Sequence, residues 1–599
     1  MKTTDSKSIS GGSFIVENQT AQNVFTPEDF NEEQQMMKSA VKEFIDREVW
    51  PNKERFEKKD YELTKTLMEQ AASLGFLGVS VPEAYGGMGM GFVSSMLVCD
   101  YISGATGSFS TAFGAHTGIG TLPITLYGTE EQKQNYLPKL SSGEWFGCYC
   151  LTEPGAGSDA NSGKTKAVLS EDGTHYKITG QKMWISNAGF ASLMIVFARI
   201  EDDKNITGFI VPYDSENGIR LGEEENKLGI HSSSTRQVFF NETKVPIENM
   251  LGERGEGFKI AMNALNVGRV KLGVACLDAQ RRVTSAAINY ANERVQFQTP
   301  IAQFGAIKEK IARMASSCYA GESACYRVAK DIEDRIEHFI SEGMTHQLAE
   351  LKGVEDFAVE CSLIKVAASE DIQNCADEGI QIFGGMGFSA DTPMESAWRD
   401  ARIGRIYEGT NEINRMLSVG MLLKKGLKGQ LDLMGAVMQA AAKLGEGPQM
   451  KEDDSKLLQE EQELIYRFKQ LFLMLTGTAV QKYGAKLEEQ QQLLLALSDV
   501  LIEIYLSEST LLRTLKNTER QGHESQKTQI ALVQHYVYEA HDTILKRAKE
   551  VILTLSKGKE QQQLLEVLHK NCAYQNPPDL IQLKTQIADR FIEENAYFI

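Results

Sequence analysis

The sequence predicts a mainly α-helical protein with a β domain set into its middle. Three observations carry that reading. Helix-start signals and apolar residues at helical spacing fill the chain before residue 147 and again after 256. Short apolar runs bounded by turn residues occupy the interval between them. A chain of 599 residues is also too long for one hydrophobic core, so several units are expected.

Residues 1–23 are rich in Ser, Thr and Gln and lack the apolar segment of a signal peptide. Residues 1–25 are therefore expected to be a flexible tail. A helical N-terminal domain follows at 26–147. Thr26-Pro27-Glu28-Asp29 offers a hydroxyl cap, a proline at the first helical position and acids in the first turn. Met37, Val41, Phe44 and Ile45 then share one helical face. Thr129 with Gln132 forms a capping box that opens another helix.

Residues 148–255 read as strands. Apolar runs at 192–200, 206–213 and 237–240 alternate with turn signals at Asp172-Gly173 and 215–218. An antiparallel sheet or small barrel is the expected result. Residues 256–430 return to helices. Ile307, Ile311, Met314 and Cys318 mark one buried stripe, and Pro300 and Gly384-Gly385 fall where helices should end. Long helices with apolar faces predict a four-helix bundle. A polar linker is expected at 445–455. The extension at 456–599 keeps helical spacing through Leu457, Leu464, Ile465 and Phe468, and its expected role is packing or assembly.

The formal charge of -18 argues against a nucleic-acid partner, which needs net basic surface. It leaves room for an anionic small ligand in a local basic pocket. The nine cysteines are scattered, and Cys148 and Cys150 stand at neither a metal-ligand nor a redox spacing. No metal is expected, and a reducing, cytoplasmic location is. No run of 18 apolar residues suggests a membrane-spanning helix.

Four segments carry chemistry. Arg405-Ile406-Tyr407-Glu408-Gly409-Thr410-Asn411 sets one carboxylate between an aromatic residue and a glycine, just before a new helix. Apolar surroundings from Tyr407 and Ile406 would raise the Glu408 pKa toward that of a working base. Gly409 would let a ligand approach the backbone. Tyr149-Cys150-Leu151-Thr152-Glu153-Pro154-Gly155-Ala156-Gly157-Ser158-Asp159 is either a plain turn or a loop whose amides and hydroxyls bind a flavin edge or a phosphate. Within Gln181-Lys182-Met183-Trp184-Ile185-Ser186-Asn187, Trp184 is either a core residue or a platform for a flat cofactor, and Ser186 can hydrogen-bond a ring nitrogen. Gln381-Ile382-Phe383-Gly384-Gly385-Met386-Gly387-Phe388 follows a helix, unlike a dinucleotide fingerprint. Its glycines either admit a diphosphate or cap that helix.

These four segments, in this order, resemble the acyl-CoA dehydrogenase family over about residues 26–430, and the extension resembles that of the very-long-chain branch. The resemblance implies FAD as cofactor and a saturated fatty acyl-CoA as substrate, with electrons passing to an electron-transfer flavoprotein. It implies Glu408 as the base that takes a proton beside the thioester. Its backbone N–H, with a flavin hydroxyl, would hold the thioester oxygen. The flavin would contact Tyr149, Cys150, Leu151, Thr152, Gly157 and Ser158, with Trp184, Ile185 and Ser186 over its ring. Arg294 matches the arginine that reaches the diphosphate of a neighbouring subunit's FAD, Phe297 is a further cofactor contact, and a homodimer or homotetramer is expected. Gln381, Gly384, Gly385, Thr410 and Glu412 match further contacts to the dinucleotide. Substrate contacts fall to Ser158, Asn266, Arg269, Tyr407 and Gly409.

The chain departs from the family at three places. Some relatives carry the base at the position of Gly268, which leaves Glu408 alone in that role here. Ser186 replaces a common Thr and keeps the hydroxyl. Glu412 stands where medium-chain members have Gln, which weakens its expected adenosine contact. Gly114, Gly118 and Gly120 match a stretch that lines the acyl tunnel of relatives, and either make room for a long tail or allow close helix packing. Two rival functions stand beside dehydrogenation: an oxidase that uses oxygen, and a flavin-bearing assembly protein whose C-terminal helices hold partners. Those helices would either be buried or touch a membrane surface.

Overall fold

The computed structural model describes residues 9–447 and 457–599. The expected linker at 445–455 falls outside these residues except for 445–447, where Gly445 and Glu446 end a helix.

The N-terminal domain holds α1 (Glu32–Phe44), α2 (Lys53–Glu57), α3 (Tyr61–Ser73), α4 (Phe92–Ile102), α5 (Gly107–Gly114), α6 (Leu122–Tyr127) and α7 (Glu130–Ser141). Val41, Phe44 and Ile45 are buried as expected. The start signal at Thr26 acts differently. Its capping box with Asp29 closes a single 3-10 turn, Phe30 then turns extended, and α1 begins after a second box between Asn31 and Gln34. The box at Thr129 opens α7 as read.

The middle domain is one eight-stranded sheet in the order β6-β7-β3-β2-β4-β5-β8, with β1 beside β4. The strands are β1 (Gly147–Cys150), β2 (Lys166–Leu169), β3 (His175–Ser186), β4 (Leu193–Ile200), β5 (Thr207–Pro212), β6 (Ile219–Glu224), β7 (Thr235–Pro246) and β8 (Met250–Leu251). Most pairs are antiparallel, but β4 runs parallel to both β1 and β2. Successive residues of β1 and β4 enter different cores: Cys148, Cys150, Met194 and Val196 one, Tyr149, Leu193, Ile195 and Phe197 the other. Burial on both faces is why 192–200 reads as an unbroken apolar run.

Long helices then form the bundle: α8 (Gly257–Val274), α9 (Leu277–Glu293), α10 (Gly305–Ser341) and α12 (Ala358–Phe383). A two-stranded hairpin of β9 (Val295–Gln296) and β10 (Thr299–Pro300) projects between α9 and α10. α11 (His346–Asp356), α13 (Met394–Ala401), α14 (Asn411–Leu427) and α15 (Leu433–Glu446) complete the region. Residues 257–293 are long and apolar enough to pass for a membrane span, but 72% of the most apolar window is buried inside the protein.

The extension comprises α16 (Gln459–Tyr483), α17 (Gln491–Gln521), α18 (Lys527–Leu555), α19 (Gly558–Cys572) and α20 (Leu580–Glu594). Its apolar residues share one core with the bundle. Buried polar contacts fix it there: Tyr319 to Thr514 at 2.9 Å, Arg327 to Glu508 at 3.0 Å, and Arg513 to Glu322 at 2.7 Å.

The expected tail is packed from Ile9 onward. Phe14 lies edge-on to Tyr505 with ring centroids 4.8 Å apart. The Gly12 N–H donates to the Glu360 carboxylate at 2.6 Å, and the Lys425 ammonium donates to the Gly11 carbonyl. The polar composition of the segment hides the apolar pair Phe14-Ile15, both of which are buried.

Candidate active site

A 3-10 turn, Arg402–Arg405, leads into the turn that carries Glu408, and Thr410 caps α14 through its hydroxyl. Glu408 itself has φ 58° and Gly409 φ 82°. A left-handed glutamate costs about 1–3 kcal/mol and persists only where its surroundings hold it. Here the Asn414 amide donates to the carbonyls of Glu408, Gly409 and Thr410, at 3.3, 2.8 and 3.1 Å. The Lys365 ammonium donates to Gly409 O at 2.8 Å and to Asn411 Oδ1 at 2.7 Å. The carbonyls are thus turned inward and clamped. Among the described residues no acceptor takes the Glu408 N–H.

The carboxylate oxygen Oε2 of Glu408 is buried without a hydrogen-bond partner. Burial pushes the pKa up to about 7, against the pull of Arg269 and then Lys365. The same burial brings Lys365 down to about 8, against the pull of Glu408. The expected apolar setting comes in part from Tyr407, but Ile406 is half exposed and supplies none of it. Gly268 of α8 is the tight neighbour. A Cβ there would lie 2.4 Å from Oε2, so its absence is what admits the carboxylate.

Glu408 opens onto a cavity of about 1060 Å³. Gly268 and Leu272 of α8, Ala275 just after it, and Thr111 and Gly114 of α5 help to line it. Gly114 has open space where a side chain would be, and Gly118 meets Lys271 Cδ at 3.8 Å. Gly120 does not line the cavity: its missing Cβ lets the backbone of Gly147 approach. Gly114 and Gly118 thus line the cavity, whereas Gly120 allows close packing, against strand β1 rather than against a helix.

Asn266 and Arg269 flank Gly268 on α8. Both are buried, Arg269 donates to Asn266 at 2.7 Å, and neither lines the cavity. Arg269 instead lies beneath Gly409, its Nη2 3.8 Å from where that glycine's Cβ would be.

The loop after β1 and the end of β3 come together. Thr152 O accepts the Met183 N–H at 2.9 Å, and buried Lys182 holds both Glu153, at 2.6 Å, and Leu151 O. A bulge in the β3–β7 register lies between Lys182 and Ile185. There Trp184 adopts φ 61° and is 53% exposed, so it is no core residue. Ser186 faces the cavity. Gly157 and Ser158 are exposed, and nothing lies within 4 Å of the missing Gly157 Cβ. An open loop, an uncovered indole and a serine beside a buried base suit a flat cofactor with a polar edge. The side chains of Cys150 and Ile185 are buried in the sheet core, so only their backbone is free for such a contact. Tyr149 and Leu151 are likewise buried, in the core on the other face.

The family models match the chain almost end to end. Those described as the N-terminal, middle and C-terminal domains of acyl-CoA dehydrogenase match residues 31–144, 148–243 and 255–422, and a second C-terminal domain matches 467–570. The chain belongs to the acyl-CoA dehydrogenase family. It is 41% identical over 592 residues to a probable acyl-CoA dehydrogenase of Bacillus subtilis, covering 98% of both chains. It is 33% identical over 586 residues to the human mitochondrial very long-chain specific acyl-CoA dehydrogenase, covering 94% of this chain and 86% of that one. The crystal structure of an acyl-CoA dehydrogenase complexed with FAD from Bacillus anthracis superposes with a TM-score of 0.95 at 40% identity, covering 99% of this chain and 100% of that one.

In this acyl-CoA dehydrogenase the remaining expected contacts gather elsewhere. Phe383 stacks on Tyr290 with centroids 4.1 Å apart, which brings the ends of α9 and α12 together. Arg294, Gln381, Gly384 and Gly385 are exposed at that end, and Phe297 is 90% exposed on the hairpin. Gly384 takes φ 59° as the cap of α12, so that reading of the glycines holds. From Lys365, beneath the Glu408 turn, to Phe383 the helix rises about 27 Å. These residues cannot touch the same end of a cofactor as Ser186 does. Thr410 spends its hydroxyl on the cap of α14, and Glu412 is exposed.

Sequence reasoning missed Lys365, Asn414 and Lys271. A signal existed for the lysines: each interrupts an apolar helical run, Leu363-Ile364-Lys365-Val366-Ala367 and Val270-Lys271-Leu272. A lysine in such a run needs a buried acceptor. Asn414 left no comparable trace.

Proposed function

We propose that this acyl-CoA dehydrogenase uses FAD to convert saturated long-chain fatty acyl-CoA to trans-2-enoyl-CoA, the first step of fatty acid β-oxidation. The observation that carries the reading is the buried, partnerless carboxylate of Glu408 at the head of a long, largely apolar-walled cavity. Ser186, Trp184, the 152–158 loop and the exposed end of the bundle would hold FAD. Bound FAD would supply the acceptor for the hydride leaving the β carbon. Everything else falls to the chain. Glu408 removes the α proton, and a pKa of about 7 suits that task near neutral pH. The unclaimed Glu408 N–H donates to the thioester oxygen as negative charge builds there. Arg269, Lys365 and Asn414 keep the turn in its strained form. The walls exclude water and receive the acyl tail, each methylene contributing about 0.8 kcal/mol.

A homodimer or homotetramer fits the exposed Arg294, Phe297 and Gln381 cluster, which lies too far from its own Glu408 to serve that flavin. The nine cysteines are all free and buried, which supports a reducing, cytoplasmic setting. An electron-transfer flavoprotein as acceptor rests on the family resemblance. Anaerobic flavin bleaching with a series of saturated acyl-CoAs tests the reading. Bleaching that strengthens with chain length supports it, and no bleaching with any length ends it. Peroxide release outpacing dye reduction would replace the flavoprotein acceptor with oxygen.

A further inference from the structure

We infer that the acyl tunnel is open at both ends, so that the enzyme accepts long acyl thioesters whose far end is polar, above all ω-carboxy chains, with that end held in water. The inference rests on the acyl-CoA reading above.

The cavity leaves Glu408 in one direction. Along α8 its wall passes Gly268 and Leu272, crosses Ala275 and Cys276 in the turn after it, and continues on α9 with Ala279, Val283 and Ala286. From Gly268 to Ala275 alone the helix rises about 10 Å. Neither the 152–158 loop nor any α8 residue before Gly268 lines it. The cavity therefore runs away from the side where the thioester and its CoA would enter.

Its far end is a rim formed by α2 and the turn before it together with the start of α13. Trp50, Lys53, Glu54 and Lys58 face Asp391 and Ser396 there, and Glu54, Lys58 and Asp391 are exposed. The cavity thus reaches solvent at this rim, at the end away from Glu408. The walls between are largely apolar, broken by the hydroxyls of Ser103, Thr106, Ser110 and Thr111 and by Lys271, while the rim carries both signs of charge. Arg282 at the rim is held by Asp46 and Asp278, and Glu57 and Glu395 are held by Arg399. Among the described residues Lys53 and Lys58 make no ion pair, and Lys53 lies over the Trp50 ring, 6.0 Å from its centroid, so two cations without an anionic partner stand at the opening, alongside Glu54. In mid-tunnel, Lys271 turns its ammonium onto Thr117 O at 3.1 Å.

A blind apolar tunnel must strip the water from an ω-carboxylate, and that penalty rejects the ligand. A tunnel open at its far end leaves the carboxylate hydrated, provided the chain is long enough to reach the rim. The signature is a tolerance that depends on length. Octanedioyl-CoA would leave its carboxylate among Cys276 and Ala279, whereas hexadecanedioyl-CoA would deliver it to Lys53 and Lys58.

The test uses the holoenzyme and anaerobic flavin bleaching with octanoyl-, octanedioyl-, hexadecanoyl- and hexadecanedioyl-CoA. The expected kcat/KM for hexadecanedioyl-CoA is within about fivefold of hexadecanoyl-CoA, and that for octanedioyl-CoA at least about 100-fold below octanoyl-CoA. Ala286→Trp, which narrows the α9 part of the tunnel, should cost hexadecanedioyl-CoA at least about 30-fold more than it costs octanoyl-CoA. Ser396→Trp on the opposite side should do the same, and guards against one variant misfolding. Equal rejection of both dioyl substrates by the wild type overturns the inference, as does full hexadecanedioyl activity in a folded rim variant. Failure of octanoyl- and hexadecanoyl-CoA alike would instead overturn the acyl-CoA reading, and the open tunnel with it.

Discussion

One added methyl group, Gly268→Ala, should slow catalysis while leaving the fold and cofactor in place. The new Cβ would sit 2.4 Å from Glu408 Oε2, 2.9 Å from its Cδ and 3.4 Å from Oε1. Ordinary contact begins near 3.5 Å, so the carboxylate must retreat by about 1 Å. The backbone cannot share that shift, because Asn414 and Lys365 hold the turn. The displacement goes into the glutamate torsions and carries the base off the line to the α carbon. A misplacement of about 1 Å costs about 100-fold in rate, or about 3 kcal/mol of barrier. Stability should change little, since Ala in a helix interior gains about 0.5–1 kcal/mol over Gly and offsets part of the crowding. The assay is stopped-flow flavin reduction by hexadecanoyl-CoA, with FAD content and thermal midpoint measured alongside. A reduction rate within about twofold of wild type would refute the argument that this glycine exists to seat the carboxylate.

Glu408→Gln should retain FAD and bind acyl-CoA but turn over at least about 100-fold more slowly. In the wild type kcat/KM should climb with pH through an apparent pKa near 7, because the base must be ionised, and a flat profile would remove Glu408 from the role. The raised folded pKa also means that the native state binds the extra proton between about 4.5 and 7, so stability falls as pH rises across that window; Glu408→Gln should lose this slope in a thermal-melt series. Lys365→Met, which removes two hydrogen bonds and a cation, should lower kcat by about tenfold and move the apparent pKa of Glu408 upward, and an unmoved pKa would dismiss the electrostatic part. Gly118→Leu should shift preference toward shorter acyl-CoA, since Lys271 is the near neighbour and leaves room for the new side chain to enter the tunnel; an unchanged chain-length profile would reject the lining role. Deleting residues 445–599 should yield insoluble protein rather than a trimmed enzyme, and a soluble, active fragment would contradict the shared core.

The carboxylate and its burial were legible because the informative residues are contiguous: Tyr407, Glu408 and Gly409 announce a turn, an acid and an open approach together. The double burial of β4 was legible for the same reason, as an unbroken apolar run. What failed were side-chain directions and distant partners. Cys150 and Ile185 belong to motifs, yet strand alternation sends their side chains into the core. Arg269 sits one residue from Gly268, and that rotation of the helix carries it under the turn rather than into the tunnel. Ile406 is apolar but half exposed, because the turn that raises Glu408 carries its neighbour outward. Polar composition at 1–25 suggested disorder, and Phe14 and Ile15 overrode it because the shared core buries both, with Tyr505 of a distant helix against Phe14. No local pattern records a contact made across the whole length of the chain.

That same contact explains why the C-terminal extension is part of the enzyme's framework rather than an appendage. Arg513 is buried between Glu322 of α10 and Glu28 of the N-terminal segment, at 2.7 and 2.6 Å. Glu322 also holds Arg281, which in turn holds Asp100 and Asp278. Burial lifts the Asp100 pKa to about 7 even beside Arg281, so these charges are costly to bury and depend on one another. Removing one member of such a set leaves the rest uncompensated, at about 3–5 kcal/mol for each broken pair. Asp278 also holds Arg282 at the tunnel rim, so the network runs from α17 through α10 and α9 to the far mouth of the cavity. The extension thereby braces the α9 wall of the cavity, and a change in α17 can reach that wall without touching it.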